Sequence, residues 1–204
     1  MKPCAESCER NQQPILDVLA EEFTETKKVL EIGSGTGQHA AFFTPQMRHL
    51  VWQTSDLAEN HADIRCWIED VEEISLPAPL DLDVRSEQWP DTGADAVFSA
   101  NTAHIMHWDM VCAMVAGVGR QFASMDRGRF CLYGPFNENG EFTSDSNRKF
   151  DAWLKKRDPL MGLRDLAEME KIAGEAGLAL CRAHTMPANN LLLVFDKVET
   201  THDR

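Results

Sequence analysis

The sequence is poor in positive charge: 20 Lys and Arg stand against 33 Asp and Glu, a formal net charge of −13. Such a surface repels phosphate backbones and anionic lipid, which argues against duplex nucleic acid or a membrane as partner. No apolar run approaches the ~18 residues that a spanning helix needs. Residues 1–13 lack the apolar centre of a secretory leader. Internal repeats, low-complexity tracts and long linkers are also missing. The 204 residues therefore read as one domain, with 1–13 as an N-terminal arm and 199–204 as a C-terminal tail. The six cysteines, Cys4, Cys8, Cys66, Cys112, Cys131 and Cys181, are scattered as expected for reduced thiols in a cytoplasmic protein. Cys4 and Cys8 have no further ligand at useful spacing, so no metal is expected.

What is present is an alternation of periodicities. Strands are expected at 28–32, 49–54, 80–84, 95–100, 128–134, 178–184 and 191–198. Helices are expected at 14–23, from 38 to 43, and at 60–71, 108–124, 149–157 and 165–176. Strands alternating with helices predict an α/β fold, a mostly parallel Rossmann-like sheet of seven strands with helices on both faces. The last two strands are separated only by 185–190, too few residues for a parallel crossover, so they form an antiparallel C-terminal hairpin.

The sharpest local signal runs from Val29 to His39, where the strand residues Leu30-Glu31-Ile32 enter Gly33-Ser34-Gly35-Thr36-Gly37. Glycines in a strand-to-helix loop let backbone approach a ligand at the sheet's carboxyl edge. Dinucleotide sites prefer G-x-G-x-x-G around a pyrophosphate; the spacing here is G-x-G-x-G, and Glu31 precedes the first glycine by two residues. A carboxylate there suits a cofactor that carries an ammonium and a sulfonium. A phosphate-binding Walker loop is excluded, since no Gly-Lys-Ser/Thr follows. Asp56, 19 residues after Gly37 and followed by Leu57, stands where an acid takes ribose hydroxyls, although an isolated Asp there also caps helices. Asp83 either accepts from an adenine amino group, with Val84 packed on the ring, or is an exposed loop carboxylate. The acidity is concentrated in this half: residues 1–102 hold 7 Lys and Arg against 19 Asp and Glu. The segment 148–164 is locally basic, with six Lys and Arg against two Asp.

After the fourth strand, Ser99 to Trp108 differs from the Asn/Asp-Pro-Pro-Tyr/Phe sequence that holds exocyclic or amide nitrogens. Asn101 is a candidate to bond a cofactor or orient an acceptor. His104 is a candidate general base or a helix-start histidine satisfied by backbone. Tyr133, the only tyrosine, ends the fifth strand as a candidate catalytic residue or a core aromatic, and precedes Gly134-Pro135-Phe136-Asn137, read as a pocket wall. The polar stretch from Asn137 to Asn147 reads as a lid. The arm before Pro14 either offers Arg10 and Asn11 to the same opening or is a solvated arm that caps the first helix.

Taken together, these residues make the chain resemble class I S-adenosylmethionine-dependent methyltransferases. More narrowly it resembles the family that includes methyltransferase-like protein 26. The narrower likeness rests on Glu9-Arg10-Asn11 with Pro14-Ile15-Leu16, the 29–39 loop, Trp52 with Ser55-Asp56, Leu82-Asp83-Val84, and Asn101 with His104-Ile105. It continues through Tyr133-Gly134-Pro135-Phe136, Ser146-Asn147, Phe150-Asp151, Asp158-Pro159, Gly162 with Arg164-Asp165, and Ala188-Asn189-Asn190. It departs at Gln53-Thr54, where a proline is expected before Ser-Asp. The resemblance implies S-adenosylmethionine as cofactor and a small-molecule acceptor that it does not name. A catalytically silent binder of the same fold is the alternative. A nicotinamide oxidoreductase is disfavoured by the glycine spacing and the terminal hairpin.

Overall fold

In a computed structural model, residues 2–71 and 76–198 are described. The strands are β1 (Lys28–Ile32), β2 (Val51–Asp56), β3 (Leu80–Asp81), β4 (Ala96–Ala100), β5 (Arg129–Gly134), β6 (Phe136–Asn137), β7 (Arg164–Asp165), β8 (Leu178–Met186) and β9 (Asn190–Lys197). The helices are α1 (Glu6–Glu22), α2 (Gln38–Phe43), α3 (His61–Ile68), α4 (Trp108–Phe122), α5 (Asp145–Arg157) and α6 (Leu166–Glu175).

Seven strands form one sheet in the order β3-β2-β1-β4-β5-β9-β8. β1 to β5 pair in parallel, and β9 runs antiparallel to both its neighbours, β5 and β8. This is the methyltransferase form of the doubly wound fold. The strands alternate strictly. Val29, Phe98, Cys131 and Val194 face a core shared with α1, α2 and α3, whereas Leu30, Val97, Leu132 and Leu193 face one shared with α4 and α6. Both faces are thus buried, as a parallel sheet requires. In α4, Val111, Met114, Val115, Val118 and Phe122 recur at three- and four-residue spacing and supply the second core. Among the described residues no helix is long and apolar enough to cross a membrane.

Two expectations need correction. The residues before Pro14 are not an arm: α1 starts at Glu6 and carries Pro14 inside it. Proline read as a helix start because its missing N–H is harmless there. The earlier turns hold through tertiary contacts, with the Ala5 N–H on Gln38 Oε1 at 2.5 Å and Trp67 Nε1 on the Pro3 carbonyl at 2.6 Å. The stretch 137–147 is not an irregular lid either. β6 pairs with β7, Glu138 bridges Glu141, and α5 begins at Asp145, four residues before the expected start. Ser144 caps α5 by accepting the Asn147 N–H at 3.1 Å. The expected tail, 199–204, lies outside the described residues.

Candidate active site

The strand order reverses between β1 and β4, and ligands of such sheets bind beyond the strand ends at that point. There Gly33 (φ +70°) meets Thr102: a Cβ on Gly33 would lie 2.6 Å from Thr102 Cγ2. A Cβ on Gly37 (φ +85°) would press on the Ile64 backbone at 3.0 Å. The loop is stapled to its neighbours, with Ser55 Oγ donating to the Glu31 carbonyl at 2.6 Å and Ser99 Oγ to that of Ile32 at 2.8 Å.

Glu31 is 2% exposed, and its Oε2 accepts from both Ser34 Oγ (2.9 Å) and Trp52 Nε1 (3.0 Å). Oε1 has no hydrogen-bond partner among the described residues. Burial pushes the Glu31 pKa up to about 7, against those two donors and with an added push from the Asp56 charge. A buried carboxyl poised this way gains from a cation placed beside it. Asp56, at the end of β2, accepts from the Gly35 N–H through Oδ2, and from the Leu57 N–H and Asn60 Nδ2 through Oδ1, each at 2.8 Å. Its carboxylate is therefore locked to the glycine loop. Beside Gly33 and Asp56 opens a cavity of about 100 Å³ whose lining also includes Leu57, Val84, Met106 and Met110 but not Glu31. Asp83 also lines it, but Arg85 grips that carboxylate in two-pronged fashion, with Nη2 at 2.6 Å from Oδ2 and Nε at 3.0 Å from Oδ1. The Arg85 guanidinium holds Asp83 below its ordinary pKa.

On the other side of the switch point, Asn101 has φ +58° and donates its N–H to the Tyr133 carbonyl at 2.9 Å. Its side-chain amide bonds nothing among the described residues. His104 is 6% exposed, and its ring makes no hydrogen bond among them. The ring packs edge-on against Phe150, centroids 5.2 Å apart. Burial, helped by the Arg164 charge, lowers its pKa to about 4, so it is neutral at pH 7. Arg164 itself is spent on the Ala103, Met106 and Leu160 carbonyls. The alternative of a histidine satisfied by backbone does not hold for this ring.

Tyr133 points the other way, into the core shared with α1 and α2. Its hydroxyl accepts from Asn190 Nδ2 at 3.0 Å and lies beside Asn11; burial raises its pKa against those two bonds. Asn11 Oδ1 in turn lies 2.8 Å from His39 Nε2, and burial drops His39 to about 4. A buried polar chain His39–Asn11–Tyr133–Asn190 thus ties α1 and α2 to β5 and the β8–β9 hairpin. Arg10 faces outward, paired with Glu6 at 3.2 Å, and is not brought to the opening. Phe136 is not an exposed wall but part of the core with α4 and α6, while Asn137 Oδ1 is buried without a partner among the described residues. Asn147 is buried against the hairpin, with Nδ2 donating to Thr143 Oγ1 (2.9 Å) and the Asn189 carbonyl (3.1 Å). Sequence reasoning named Trp52, His39 and Phe150 only among the residues that carry the family likeness and gave none of them a part in the site.

The family described as "Protein of unknown function (DUF938)" matches residues 2–197. Among solved structures, an O-methyltransferase family protein from Burkholderia thailandensis superposes with a TM-score of 0.79 at 16% identity, covering 95% of this chain and 58% of that one. The S-adenosylmethionine-dependent methyltransferase SibL, in its apo form, gives 0.77 at 16% identity over 94% of this chain and 56% of that one. Human N-acetylserotonin methyltransferase in complex with S-adenosylmethionine gives 0.77 at 12% identity over 95% and 53%. The likeness is one of fold, and the chain spans little more than half the length of these structures.

Proposed function

The chain belongs to the DUF938 family, and from its site we propose that it is an S-adenosylmethionine-dependent methyltransferase acting on a small molecule. The observation that carries this reading is the pairing of Glu31 and Asp56 across the glycine loop at the switch point of a methyltransferase sheet. Glu31 Oε1, which has no donor among the described residues, suits the cofactor's ammonium. Asp56, Gly33, Ser34, Gly35 and Gly37 would hold the ribose and methionyl portions. Leu57, Val84, Met106 and Met110 form an apolar slot for the adenine. Asp83 serves there only if Arg85 yields one of its bonds. The resemblance to the methyltransferase-like protein 26 family fits the same reading.

When bound, S-adenosylmethionine supplies a methyl group on a cationic sulfur that leaves readily. The protein's task is then to position the acceptor and exclude water. His104, neutral and with neither ring nitrogen bonded among the described residues, takes the proton of an attacking hydroxyl or amine. Asn101 orients the acceptor or the cofactor from its left-handed backbone position. Tyr133, bonded through its hydroxyl to the hairpin, acts as a positioning residue behind them.

Calorimetric titration tests the cofactor half. S-adenosylmethionine and its demethylated product should bind and NAD should not, and Asp56→Ala should weaken binding at least ~10-fold by stranding two hydroxyls. Binding unchanged in that variant refutes the ribose assignment, and no heat with either ligand refutes the function.

A further inference from the structure

The cavity beside Gly33 and Asp56 measures about 100 Å³ and leaves out Glu31. Small-molecule and cofactor sites take ~300–1,000 Å³, so a wall has to give way before S-adenosylmethionine can reach Glu31 from there. Two of the walls around Glu31 are fixed. Trp52 is buried among Phe23, Phe43 and Phe98, with ring centroids 6.5, 5.4 and 5.7 Å away. The glycine loop is stapled through Ser55 and Ser99.

The third wall is the start of α1. Cys8 heads the inner stripe that continues through Asn11, Ile15 and Leu19. It is partly buried, and burial together with the Glu31 charge pushes its thiol up to about 11, so Cys8 and Glu31 are neighbours.

This end of α1 is weakly built. Residues 6–13, ESCERNQQ, hold no large apolar side chain, and none of residues 2–10 is buried. Ala5 stands at the cap position and offers no side-chain bond. Pro14 has no N–H, so the Arg10 carbonyl lacks its helical partner, and the polar turns are uncoupled from the buried ones. Eight residues ahead of such a break are too few to hold a helix by themselves. From Asn11 onward the helix is fixed, by the bond to His39 and by buried Ile15, Leu16 and Leu19.

Among the described residues a short set of contacts ties the earlier segment down. Buried Gln38 is the latch: Oε1 accepts from the Ala5 N–H at 2.5 Å and from the Thr36 hydroxyl at 2.9 Å, while Nε2 donates to Cys4 Sγ at 3.6 Å. Sulfur is a weak acceptor. Trp67 Nε1 on the Pro3 carbonyl adds one bond, and the exposed Lys2–Asp70 pair adds little. The Arg10–Glu6 and Cys4–Glu9 bonds lie within the segment and do not tie it to the body.

We propose that residues 2–10 form a flap, hinged between Arg10 and Pro14 and latched on Gln38, that swings out to admit the cofactor's amino-acid end to Glu31 and closes over it again. That the ligand is S-adenosylmethionine rests on the methyltransferase reading; the hinge does not.

Hydrogen exchange read by NMR on the full chain tests both. The amides of 10–13 bond back to the carbonyls of 6–9 and are released when the flap swings, whereas those of 18–22 lie in the fixed part. Without ligand the first group should exchange at least ~100-fold faster than the second. S-adenosylmethionine should slow the first group at least ~10-fold, and 5′-methylthioadenosine, which keeps the adenosine and the sulfur but has no amino-acid end, should not. In stopped-flow binding, Gln38→Ala should speed both association and release of S-adenosylmethionine at least ~5-fold and leave the rates of 5′-methylthioadenosine within about twofold. Equal exchange in the two groups, S-adenosylmethionine that binds without protecting residues 10–13, or rates unchanged in Gln38→Ala overturns the flap. If that variant fails to fold, the exchange comparison on the wild type decides alone. No binding of S-adenosylmethionine alongside an intact exchange contrast would sink the methyltransferase reading and leave the hinge standing.

Discussion

Replacing Glu31 with glutamine should make the protein more stable, and increasingly so as pH rises. The carboxyl is 2% exposed with a pKa near 7, whereas in the unfolded chain it titrates near 4.5. Between those values the folded state holds a proton that the unfolded state has lost. Its contribution is therefore fully present below pH 4.5 and is lost as pH climbs through 7. At ~1.36 kcal/mol per pH unit, the loss is about 1 kcal/mol at pH 5 and about 3 kcal/mol at pH 8. Glutamine can still accept from Ser34 and Trp52 but never ionises, so its stability lacks this term. The difference in unfolding free energy between Glu31→Gln and wild type should grow by about 2–3 kcal/mol from pH 5 to pH 8. Urea unfolding followed by fluorescence at four pH values measures it. The comparison within one background matters because His39 and His104, whose pKa values are lowered to about 4, act in the opposite sense. Each binds a proton in the unfolded chain that the fold refuses, so they add stability as pH rises from 4 to 6.5; in a wild-type-minus-variant curve they cancel. A flat difference, or one that shrinks with pH, would refute the assignment of Glu31 as a carboxyl kept protonated by burial. The same variant should bind S-adenosylmethionine more weakly despite being more stable, a trade of stability against function.

Three further outcomes are expected. His104→Phe should lower methyl transfer ~10²–10⁴-fold while leaving the affinity for S-adenosylmethionine, read by calorimetry, within about twofold; an equal loss in both would place His104 in cofactor binding instead. Gly33→Ala should cost both cofactor affinity and stability, since its Cβ strikes Thr102 Cγ2 at 2.6 Å from a positive-φ position, and a fully active variant would show that the loop yields. Glu22→Gln should destabilise by about 2–4 kcal/mol in chemical denaturation, because this buried carboxylate, held below its ordinary pKa, is bonded by Arg182 (2.8 Å) and His184 (2.9 Å) and paired with Arg129 (3.0 Å). That stabilisation is present above the unfolded pKa and fades as pH falls below it; a loss under about 0.5 kcal/mol would mean the cluster is worth no more than exposed pairs.

The fold was legible because its signals are local and periodic. The β1 pattern, the glycine loop and the short connection between β8 and β9 each constrain the chain on their own. Pro14 misled because the rule for proline concerns a helix in isolation, and α1 is continued by contacts with Gln38, Trp67 and His39, residues far along the chain. Phe136 was misplaced for a related reason: a short strand that pairs with β7 turns it into the core, and a two-residue pairing leaves almost no pattern to read. Glu31 and Asp56 stand beside the glycine loop, as their offsets from the glycines lead one to expect. The clamp on Asn147 had no such offset to show it, because its parts come from α5 and from a hairpin more than forty residues later.

The lone tyrosine of the chain stands at the centre of the buried polar network. Isotope-labelled tyrosine incorporated during expression would therefore place a single reporter, with no mutation and nothing to assign. Its ring senses α1 through Asn11 and the β8–β9 hairpin through Asn190. Whether the amino-terminal helix stays seated or lifts when a ligand enters becomes a question answered by counting signals: one peak for a permanently docked helix, two for a population that exchanges slowly.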